Sequence, residues 1–328
     1  MTYAAITGWG MYVPERVLTN ADLEKMVDTS DEWIVTRTGI RERRIAAPHE
    51  TTGSMGALAA QQALERAGLG SQDVDLLVVA TSTPDQLMPS AACVVQTAIG
   101  ATRAGPMDVN AACSGFVYAL AIGAQFIQGG ASRTALVVGV DTLSRFLNYQ
   151  DRNTCILFGD GAGAVVLQAT SQPTGVLALD LGAIPGTGEL LEIPGGGAAH
   201  PATPETVANN LHYMTMQGRE VFKYAVRAMG DSSAKVIADA GLLPEDIALV
   251  IPHQANLRII EATAKRLDLP MEKFCVNIDR YGNTSSASIP IALCEAHAEG
   301  RLRPGDAVVV TAFGGGLTWG SALLKWGA

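Results

Sequence analysis

The segment NAACSGF places Cys113 among small residues at the start of an uncharged run that is predicted to be helical. The positive end of a helix and its unpaired amides favour a thiolate, and a thiolate attacks esters and thioesters. The small neighbours leave room for a substrate to approach the sulfur. A buried and inert thiol is the alternative, and Cys93, which also begins an apolar helical segment, shows that one cysteine does not decide between them.

Two further segments offer hydrogen-bond donors that carry no permanent charge. His253 follows the apolar stretch IALVI in PHQAN, and strand ends are where sites of α/β proteins tend to form. Its imidazole donates one hydrogen bond when neutral and titrates near neutral pH. Asn283 in YGNTSSAS offers amide donors where a predicted strand enters a helix. The structural alternatives are a turn histidine that caps a helix and an asparagine that serves as a helix N-cap.

The segment AFGGGLTWGSALL supplies three consecutive glycines, of which Gly315 is the second. Glycines after a strand let the backbone approach a ligand closely, and exposed amides there can bind an oxyanion. A tight turn that requires positive φ is the alternative. Because a cysteine, a histidine, an asparagine and a glycine turn all fall at predicted strand ends, the combination favours a single catalytic site.

A repeat in the sequence indicates how these residues are brought together. AGLGSQDVDLLVVATS begins at residue 67 and AGLLPEDIALVIPHQ at residue 240, an offset of 173 residues. The same offset places Asn110 on Asn283 and Cys113 on Ser286. The glycine-rich turns FGDGAGAVVL and FGGGLTWGSALL are only 155 residues apart, which predicts extra residues around 144–154 in the first half. Two related α/β units packed together would place a cleft between equivalent strand ends.

Strands and helices are predicted to alternate in each half. Apolar strands without polar alternation indicate mixed or parallel sheets that are covered by helices. The predicted strands are 75–81, 106–110, 135–140, 163–168, 247–252, 274–278, 307–312 and 320–326. The predicted helices are 52–67, 114–129, 218–240, 256–267 and 285–298. The Gly- and Pro-rich segment 182–215 is predicted to be an exposed loop near a pocket.

The composition limits the classes of function. The chain has 328 residues, of which 48% are hydrophobic and 17% charged, so it can fill the cores of about two domains. Its formal net charge of −9 disfavours nucleic-acid binding, which needs clustered Lys and Arg. The five cysteines suggest neither a zinc site nor a disulfide framework, and no signal peptide is evident, so a cytoplasmic location is expected. The uncharged run 109–132 could span a bilayer, but its polar residues and missing basic flanks favour a buried helix and no membrane association.

Several long motifs occur in the order found in one enzyme family. NAACSGF, PHQAN, YGNTSSAS, FGGGLTWGSALL and TSDEWIVTRTGIRERRIA closely resemble β-ketoacyl-ACP synthase III, a thiolase-superfamily enzyme that initiates fatty-acid synthesis. The similarity covers residues 6–325. It implies an α/β, thiolase-like fold in which duplicated αβαβα halves form a five-layered core. Residues 1–173 would carry the nucleophilic cysteine and residues 174–328 the histidine and asparagine, and the resemblance also implies a homodimer.

The resemblance implies that Cys113, His253 and Asn283 form a catalytic triad. The cysteine accepts the acyl group of an acyl-CoA, typically acetyl-CoA; malonyl-ACP then loses carbon dioxide, and its carbanion attacks the acyl-enzyme to give 3-oxoacyl-ACP. The amides of Cys113 and Gly315 are the family's oxyanion hole. Neutral His253 and Asn283 would stabilise the enolate, because a cationic histidine would bind the starting carboxylate too well. No metal and no organic cofactor are expected, since the thioester itself stabilises the carbanion.

Other family positions concern binding of the acyl-CoA. Trp33 and Arg152 resemble the pair that holds the adenine, and Arg37 resembles a phosphate contact. Gly218 and Asn256 resemble contacts to the pantetheine arm. Surface charge and helix turns are the structural alternatives for this set.

The resemblance also suggests an acyl pocket and a surface for the acyl carrier protein. The pocket residues are Met88, which the family donates across the dimer, and Leu143, Phe158 and Met214. A basic stripe on two predicted helices would attract the acidic carrier protein and consists of Arg219, Lys223, Arg227, Arg258 and Lys265. Solvated helix faces have the same pattern.

Two other functions are compatible with the sequence. One is a specialised acyltransferase or ketide synthase of secondary metabolism on the same fold, and the other is a binding protein that has lost catalysis. The intact set of cysteine, histidine and asparagine argues against both.

Overall fold

Strands and helices alternate along most of the chain, of which the computed structural model describes residues 1–327. The strands are β1 (Tyr3–Tyr12), β2 (Val17–Thr19), β3 (Glu42–Arg44), β4 (Leu76–Ala80), β5 (Gly105–Val109), β6 (Thr134–Thr142), β7 (Asp160–Thr170), β8 (Gly175–Ala183), β9 (Leu191–Glu192), β10 (Thr215–Met216), β11 (Ile247–Pro252), β12 (Ala307–Gly314) and β13 (Thr318–Lys325). The helices are α1 (Asn20–Leu23), α2 (Asp31–Thr38), α3 (Thr52–Ala67), α4 (Ala91–Ile99), α5 (Gly115–Gln128), α6 (Pro204–Ala208), α7 (Gly218–Asp239), α8 (Leu257–Leu267), α9 (Ile278–Tyr281) and α10 (Ser288–Ala298).

The two main sheets have the same internal order. The first is ordered β1-β7-β6-β4-β5 and the second β8-β13-β12-β11. In each sheet the equivalent inner pair is parallel, β4 with β6 and β11 with β12, and the next two pairs are antiparallel. Phe274 pairs with Val250 of β11 in the place that β5 takes beside β4. The repeated order confirms that the fold is a duplicated α/β unit.

Helices cover both sheets and also separate them. α3 packs on the first sheet from outside and α7 on the second, whereas α5 and α10 lie between the sheets. One core cluster joins both sheets through these central helices and includes the buried side chains of Phe116, Leu120 and Ile289. The result is the five-layered αβαβα arrangement. The uncharged run that forms α5 is therefore a buried helix, and across residues 1–327 no helix is both long and apolar enough to cross a membrane.

β1 was not predicted from the sequence, because glycine interrupts its pattern of apolar residues. β1 contains Gly8 within an otherwise mixed pattern, and a Cβ at this position would lie 2.1 Å from the carbonyl oxygen of Ala63 in α3. The missing side chain lets α3 pack directly on the strand. β8 was also not predicted, and α4 was indicated only as the apolar helical segment at Cys93. The segment 182–215 begins inside β8, contains α6 and β9, and ends inside β10.

The predicted strand 274–278 was wrong beyond its first residue. Asn277 donates its backbone N–H to Gln254 Oε1 at 3.0 Å, and α9 begins at Ile278. The chain therefore leaves the sheet after the single bridge at Phe274.

The connection from β6 to β7 in the first half is much longer than the equivalent connection from β12 to β13 in the second half. Thr142 pairs with Asp160 across residues 143–159, whereas Gly314 pairs with Thr318 across only three residues. This confirms that the first half carries the extra residues near 144–154. The two glycine-rich turns are not equivalent, however, because Phe313 lies inside β12 while the phenylalanine of FGDGAG precedes β7.

Candidate active site

Cys113 lies in a strained turn between β5 and α5. Residues 112–114 form a single 3-10 turn, in which Ala112 has a φ of +46°. The equivalent turn of the second half contains Ser285 at the same offset of 173 residues, with a φ of +51°. Residues other than glycine rarely adopt this left-handed conformation. The duplicated fold thus builds the same tight turn before a central helix twice, and it places Cys113 in one turn and Asn283 just before the other.

The ionisation of Cys113 differs from the sequence expectation. The side chain is 7% exposed. Burial raises the pKa of its thiol to about 12; a hydrogen bond with Ser285 lowers this pKa, and the charge of Asp141 raises it further. At neutral pH the group is therefore a thiol, because burial outweighs the effect of the helix N-terminus that the sequence suggested.

His253 follows β11 and is held by both its backbone and its ring. Its backbone N–H donates to the carbonyl oxygen of Thr311 in β12 at 2.8 Å, and its Nδ1 lies 2.7 Å from Ser288 Oγ. The residue is 1% exposed, and burial lowers the pKa of the imidazole to about 3. The imidazole is therefore neutral at physiological pH, as expected from the sequence.

Asn283 is fixed by backbone pairing with the long connection of the first half. Its N–H donates to Leu157 at 2.8 Å, and its carbonyl oxygen accepts from Gly159 at 3.0 Å. Its side-chain Oδ1 accepts the backbone N–H of Ser285 at 2.8 Å. Because the carboxamide oxygen is already bonded, the Nδ2 group is the part of the side chain that remains to donate to a ligand.

The fold brings these three residues to one cavity. Cys113, His253 and Asn283 line a cavity of about 790 Å³ together with Phe313 and Gly314 of β12. They are separated by 140 and 30 residues in the sequence, and they come from the ends of β5 and β11 and from the turn before α10. One nucleophile and two neutral donors therefore face the same space, a combination suited to acyl transfer and enolate stabilisation.

The residues expected to bind CoA line the outer part of the same cavity. These residues are Trp33, Arg37, Arg152, Gly218 and Asn256. The guanidinium carbon of Arg37 lies 4.7 Å from the Trp33 ring centroid, and that of Arg152 lies 5.3 Å from it. Arg152 also donates to the backbone oxygen of Asp28 at 2.9 Å. A flat cationic and aromatic surface is thus present at the mouth of the cavity.

The side chain of Asn256 already has structural partners. Its Nδ2 donates to the carbonyl oxygen of Arg37 at 3.0 Å, and its Oδ1 accepts the backbone N–H of Arg258 at 2.9 Å. Asn256 is thus the N-cap of α8 and also ties this helix to α2.

A second cavity of about 430 Å³ opens from Cys113 on another side. Its walls include Gly315 and three of the expected acyl-pocket residues, Leu143, Phe158 and Met214. Leu191 and Ile193, which the sequence did not single out, also line it. Met88, the fourth expected residue, is 87% exposed and lines neither cavity of the single chain.

Gly314 is a site residue that the sequence did not single out from its glycine run. A Cβ at this position would lie 2.6 Å from the backbone nitrogen of Cys113 and 3.1 Å from its Cα. Glycine is therefore required for β12 to approach the nucleophile turn, which also brings the neighbouring Gly315 to the cavity that Cys113 lines.

The structure divides the basic stripe into two parts. Arg219, Lys223 and Arg258 line the larger cavity, while Arg227 and Lys265 do not. All five side chains are exposed. Lys223 is paired with Glu220 at 2.7 Å, and Arg227 lies 3.6 Å from Asp231. Acidic partners therefore offset part of the positive charge of α7, at Lys223 beside the cavity and at Arg227 beyond it.

A buried carboxylate group holds together two segments of the chain that carry candidate site residues. Asp141 is the second-to-last residue of β6 and is fully buried. Its Oδ1 accepts from the hydroxyls of Thr81 and Thr83 and from the Ser82 N–H at 2.8–3.1 Å. Its Oδ2 accepts from Ser286, through the hydroxyl at 2.7 Å and the backbone N–H at 3.1 Å. One side chain thereby connects the first sheet to the turn that carries Asn283.

Comparisons with known proteins agree over nearly the whole chain. Family models described as 3-oxoacyl-[acyl-carrier-protein (ACP)] synthase III and its C-terminal part match residues 107–185 and 237–326. The chain is 58% identical over 326 residues to the β-ketoacyl-[acyl-carrier-protein] synthase III of Roseiflexus sp. (strain RS-1), covering 99% of each chain. The crystal structure of 3-oxoacyl-[acyl-carrier-protein] synthase III from Aquifex aeolicus VF5 is similar with a TM-score of 0.91 and 50% identity, over 98% of this chain and 100% of that one. The corresponding synthase structure from Thermus thermophilus has a TM-score of 0.91 and 46% identity, over 98% and 99%.

Sequence and fold therefore agree on the same relatives. The similarity spans both sheets and the cavity between them, and it is far above the level at which only the fold would be shared. The chain belongs to the β-ketoacyl-ACP synthase III family of condensing acyltransferases and has the thiolase-like fold.

Proposed function

We propose that the chain initiates fatty-acid synthesis by condensing an acyl-CoA primer with malonyl-ACP to give 3-oxoacyl-ACP, carbon dioxide and CoA. One observation carries the proposal: Cys113, His253 and Asn283 line a single cavity although they are far apart in the sequence. The specialised acyltransferase of secondary metabolism is disfavoured by the 58% identity over 326 residues to a β-ketoacyl-[acyl-carrier-protein] synthase III.

The first half-reaction transfers the primer to Cys113. The Cys113 sulfur bonds to the acyl carbon, the bond from that carbon to the CoA sulfur breaks, and the thiol proton leaves with CoA. The tetrahedral intermediate carries a negative oxygen, and the backbone amides of Cys113 and Gly315 are the donors proposed for it. Each such donor is worth about 3–4 kcal/mol in transition states of this kind.

The second half-reaction forms the carbon–carbon bond. The malonyl carboxylate leaves as carbon dioxide, and its electron pair forms an enolate on the thioester. The imidazole of His253 and the Nδ2 group of Asn283 donate to the enolate oxygen as its charge develops. The carbanion then attacks the acyl carbon, the bond to the Cys113 sulfur breaks, and the sulfur takes a proton from water.

Neutrality of His253 matters for this step. Burial lowers the pKa of its imidazole to about 3, so the ring offers a hydrogen bond without a positive charge. A positive charge would also stabilise the malonyl carboxylate before it leaves, and that would cancel part of the gain in the transition state.

The proposed binding sites follow the two cavities. The acyl-CoA enters past Trp33, Arg37 and Arg152, and its pantetheine arm passes Gly218 and Asn256. The carrier protein approaches the exposed basic residues at the same mouth, of which Arg219, Lys223 and Arg258 line the cavity and Arg227 and Lys265 lie beyond it. The primer chain occupies the second cavity beside Leu143, Phe158 and Met214.

We also propose that the enzyme is a homodimer. β5 has a partner strand only on its β4 side, so its outer edge is open within the described chain. Leu87 and Met88 are 83% and 87% exposed, although apolar side chains of this size are usually covered. A second copy would cover them, and Met88 would then contribute to the acyl cavity of the partner subunit.

Mass spectrometry tests the proposed function directly. Incubation with acetyl-CoA should add one acetyl group to Cys113, and the Cys113→Ser variant should give no such thioester. Addition of malonyl-ACP should then release carbon dioxide and yield 3-oxoacyl-ACP. Acetylation without release of carbon dioxide would instead identify an acyltransferase, and the absence of both would point to a binding protein.

A further inference from the structure

The ring of His253 has a buried partner that the proposed chemistry does not yet use. Ser288 is the first residue of α10 and is 2% exposed. Its Oγ lies 2.7 Å from His253 Nδ1 and accepts the backbone N–H of Gln254 at 3.4 Å. Within residues 1–327 the Ser288 hydroxyl makes no other hydrogen bond.

One assignment of donors and acceptors satisfies both the Ser288 hydroxyl and His253 Nδ1 in this small group. A backbone N–H can only donate, so the Ser288 oxygen accepts from Gln254. The single hydroxyl proton then has one available acceptor, which is His253 Nδ1. A neutral imidazole has one nitrogen that accepts and one that carries the proton. If Nδ1 accepts and Nε2 carries the proton, the hydroxyl proton is satisfied; the opposite tautomer would leave that proton without an acceptor among residues 1–327.

The position of the Gln254 amide is itself fixed. The side chain of Gln254 donates to the carbonyl oxygens of Pro252 at 2.8 Å and Cys275 at 3.0 Å, and it accepts the N–H of Asn277 at 3.0 Å. The bonds to Cys275 and Asn277 hold the turn after β11 against the segment that leads to α9, and the bond to Pro252 closes the turn itself. The Gln254 N–H therefore cannot easily turn away from Ser288.

The other ring nitrogen of His253 faces the reaction. Nε2 is buried and has no hydrogen-bond partner in the described part of the protein, and His253 lines the cavity that also contains Cys113 and Asn283. A buried donor without a partner is costly unless a ligand satisfies it. An Nε2 that accepted instead of donating would repel the enolate oxygen.

We infer that Ser288 is a positioning residue that keeps the proton of neutral His253 on Nε2, where it donates to the oxygen of the malonyl thioester. This inference rests on the proposed function, because it assigns a purpose to the Nε2–H group in the decarboxylation step. Ser288 does not touch the substrate, so it acts only through the imidazole.

The tautomer can be measured without enzyme activity. In protein labelled with ¹⁵N-histidine, the Nε2 of His253 should have the chemical shift of a protonated, pyrrole-type nitrogen, and Nδ1 that of a pyridine-type acceptor. The His253→Ala variant identifies these signals among the five histidines. In Ser288→Ala, the tautomer with the proton on Nδ1 should become populated. In Ser288→Thr, which keeps a hydroxyl, the wild-type tautomer should remain.

Kinetics of the two half-reactions provide the second readout. Ser288→Ala should lower the rate of carbon dioxide release from malonyl-ACP about 10- to 100-fold, the range found when the hydrogen-bonded partner behind a metal-binding histidine is removed. Acetylation of Cys113 by acetyl-CoA should change by less than about twofold, because that step uses the backbone amides. Ser288→Thr should recover most of the lost rate.

A matched control separates this role from a general loss of a buried hydroxyl. Ser233 in α7 is also fully buried, and its hydroxyl has no partner among the described residues. Ser233→Ala should leave the tautomer and both half-reactions unchanged. Thermal unfolding of every variant shows whether each remains folded at the assay temperature. If Ser288→Ala does not, the tautomer of His253 in wild-type protein carries the test, because a protonated Nδ1 there would refute the role of Ser288.

The outcomes are distinguishable from failure of the proposed function. If wild-type protein releases carbon dioxide and Ser288→Ala does so equally fast with Nε2 still protonated, the role of Ser288 is refuted and the proposed function stands. A slower Ser288→Ala with an unchanged tautomer would also refute it, since the effect would then be structural. If wild-type protein releases no carbon dioxide, the proposed function fails, while the tautomer measurement still decides the effect of Ser288 on the ring.

Discussion

Burial sets the ionisation of the two reactive side chains at the scale of single residues. The pKa of the Cys113 thiol is raised to about 12 and that of the His253 imidazole is lowered to about 3, in both cases mainly by desolvation. Both groups are consequently uncharged at neutral pH. The negative charge of the reaction therefore develops on the oxygens of the substrate. The fixed backbone amides and the neutral donors must stabilise it there.

Alkylation of Cys113 by iodoacetamide should rise about tenfold per pH unit between pH 7 and 9. The thiolate is the reactive form, and for a pKa of about 12 its fraction grows in proportion to hydroxide over this range. Mass spectrometry of the peptide that carries Cys113 measures the rate, and Cys113→Ser gives the background from the other cysteines. A rate that levels off near pH 8.5 would indicate an ordinary cysteine pKa.

Unfolding experiments should reveal the low pKa of His253. The unfolded chain has a histidine pKa of about 6.5, so between pH 3 and 6.5 the unfolded state binds one more proton than the folded state. The stabilising effect of the neutral ring is complete above pH 6.5 and is lost as the pH falls through this window. From pH 7 to 5 the loss is about 2 kcal/mol of the free energy of unfolding. Urea titrations should show that the free energy of unfolding of His253→Gln falls by about 2 kcal/mol less than that of wild-type protein between pH 7 and pH 5. Equal losses in the two proteins would contradict the low pKa of His253.

The sequence was informative about which residues react and silent about what supports them. Cys113 follows β5 and His253 follows β11, and such strand ends are visible in the pattern of apolar residues. Asn283 instead lies between α9 and the turn before α10, so its predicted place at a strand end was wrong. Ser288 and Gly314 act through contacts with residues from other elements, and such contacts exist only in the folded chain. The direction of the Cys113 pKa shift was also missed, because burial of the turn cannot be read from its small neighbours.

At the scale of elements, the close approach of β12 to the turn that carries Cys113 determines the geometry of the site. β12 passes so close to the nucleophile turn that position 314 has no space for a side chain. The same strand supplies the Thr311 carbonyl oxygen that holds the backbone of His253. A single strand thereby fixes the distance between the sulfur and the imidazole.

Gly314→Ala should lower the rate of Cys113 acetylation by about 100-fold or more. Its Cβ would lie 2.6 Å from the Cys113 nitrogen, so the amide proposed for the oxyanion hole must move. Burst kinetics with acetyl-CoA provide the measurement. Gly197→Ala is the matched control, because a Cβ there meets no atom within 4 Å, and it should acylate at the wild-type rate. Equal rates for both variants would show that the turn tolerates the displacement.

Strands that are encoded by a local run of apolar residues could be predicted, whereas strands that depend on distant contacts could not. β4, β6 and β12 are continuous apolar runs and were predicted within a few residues, since complete burial leaves a clear composition. β9 and β10 have only two residues each and pair inside the segment predicted as a loop. Their formation depends on contacts across the chain, such as the Met214 N–H that donates to Phe146 at 2.8 Å, and no local pattern encodes these.

The whole molecule positions the site where its two halves meet. Asn283 from the second half pairs with Leu157 and Gly159 from the first, and Asp141 from the first half accepts two hydrogen bonds from Ser286 in the second. Relative movement of the halves would separate the nucleophile from its donors. The site is therefore a property of the assembled core rather than of either half.

Primer selection should depend on the proposed dimer. If Met88 enters the acyl cavity of the partner subunit, Met88→Trp should reduce the use of branched and longer acyl-CoA primers at least about tenfold more than the use of acetyl-CoA. A panel of straight and branched acyl-CoA substrates gives the measurement. Leu243→Trp alters another exposed apolar residue, 59% exposed, and should leave the preference unchanged. A wild-type preference in Met88→Trp, or a monomer in sedimentation, would rule out this arrangement.

The unequal connections described for the two sheets have a consequence for how such a site can arise from a duplicated unit. Residues 143–159 supply Leu143 and Phe158 to one cavity, Arg152 to the other, and the backbone groups that grip Asn283. The three-residue hairpin of the second half instead supplies Gly315 and Gly316 to a cavity that Cys113 also lines. The long connection of the first half thus lines the substrate cavities, whereas the short hairpin of the second half contributes only glycines. The two halves therefore share the order of their strands but differ in what they contribute to the candidate site.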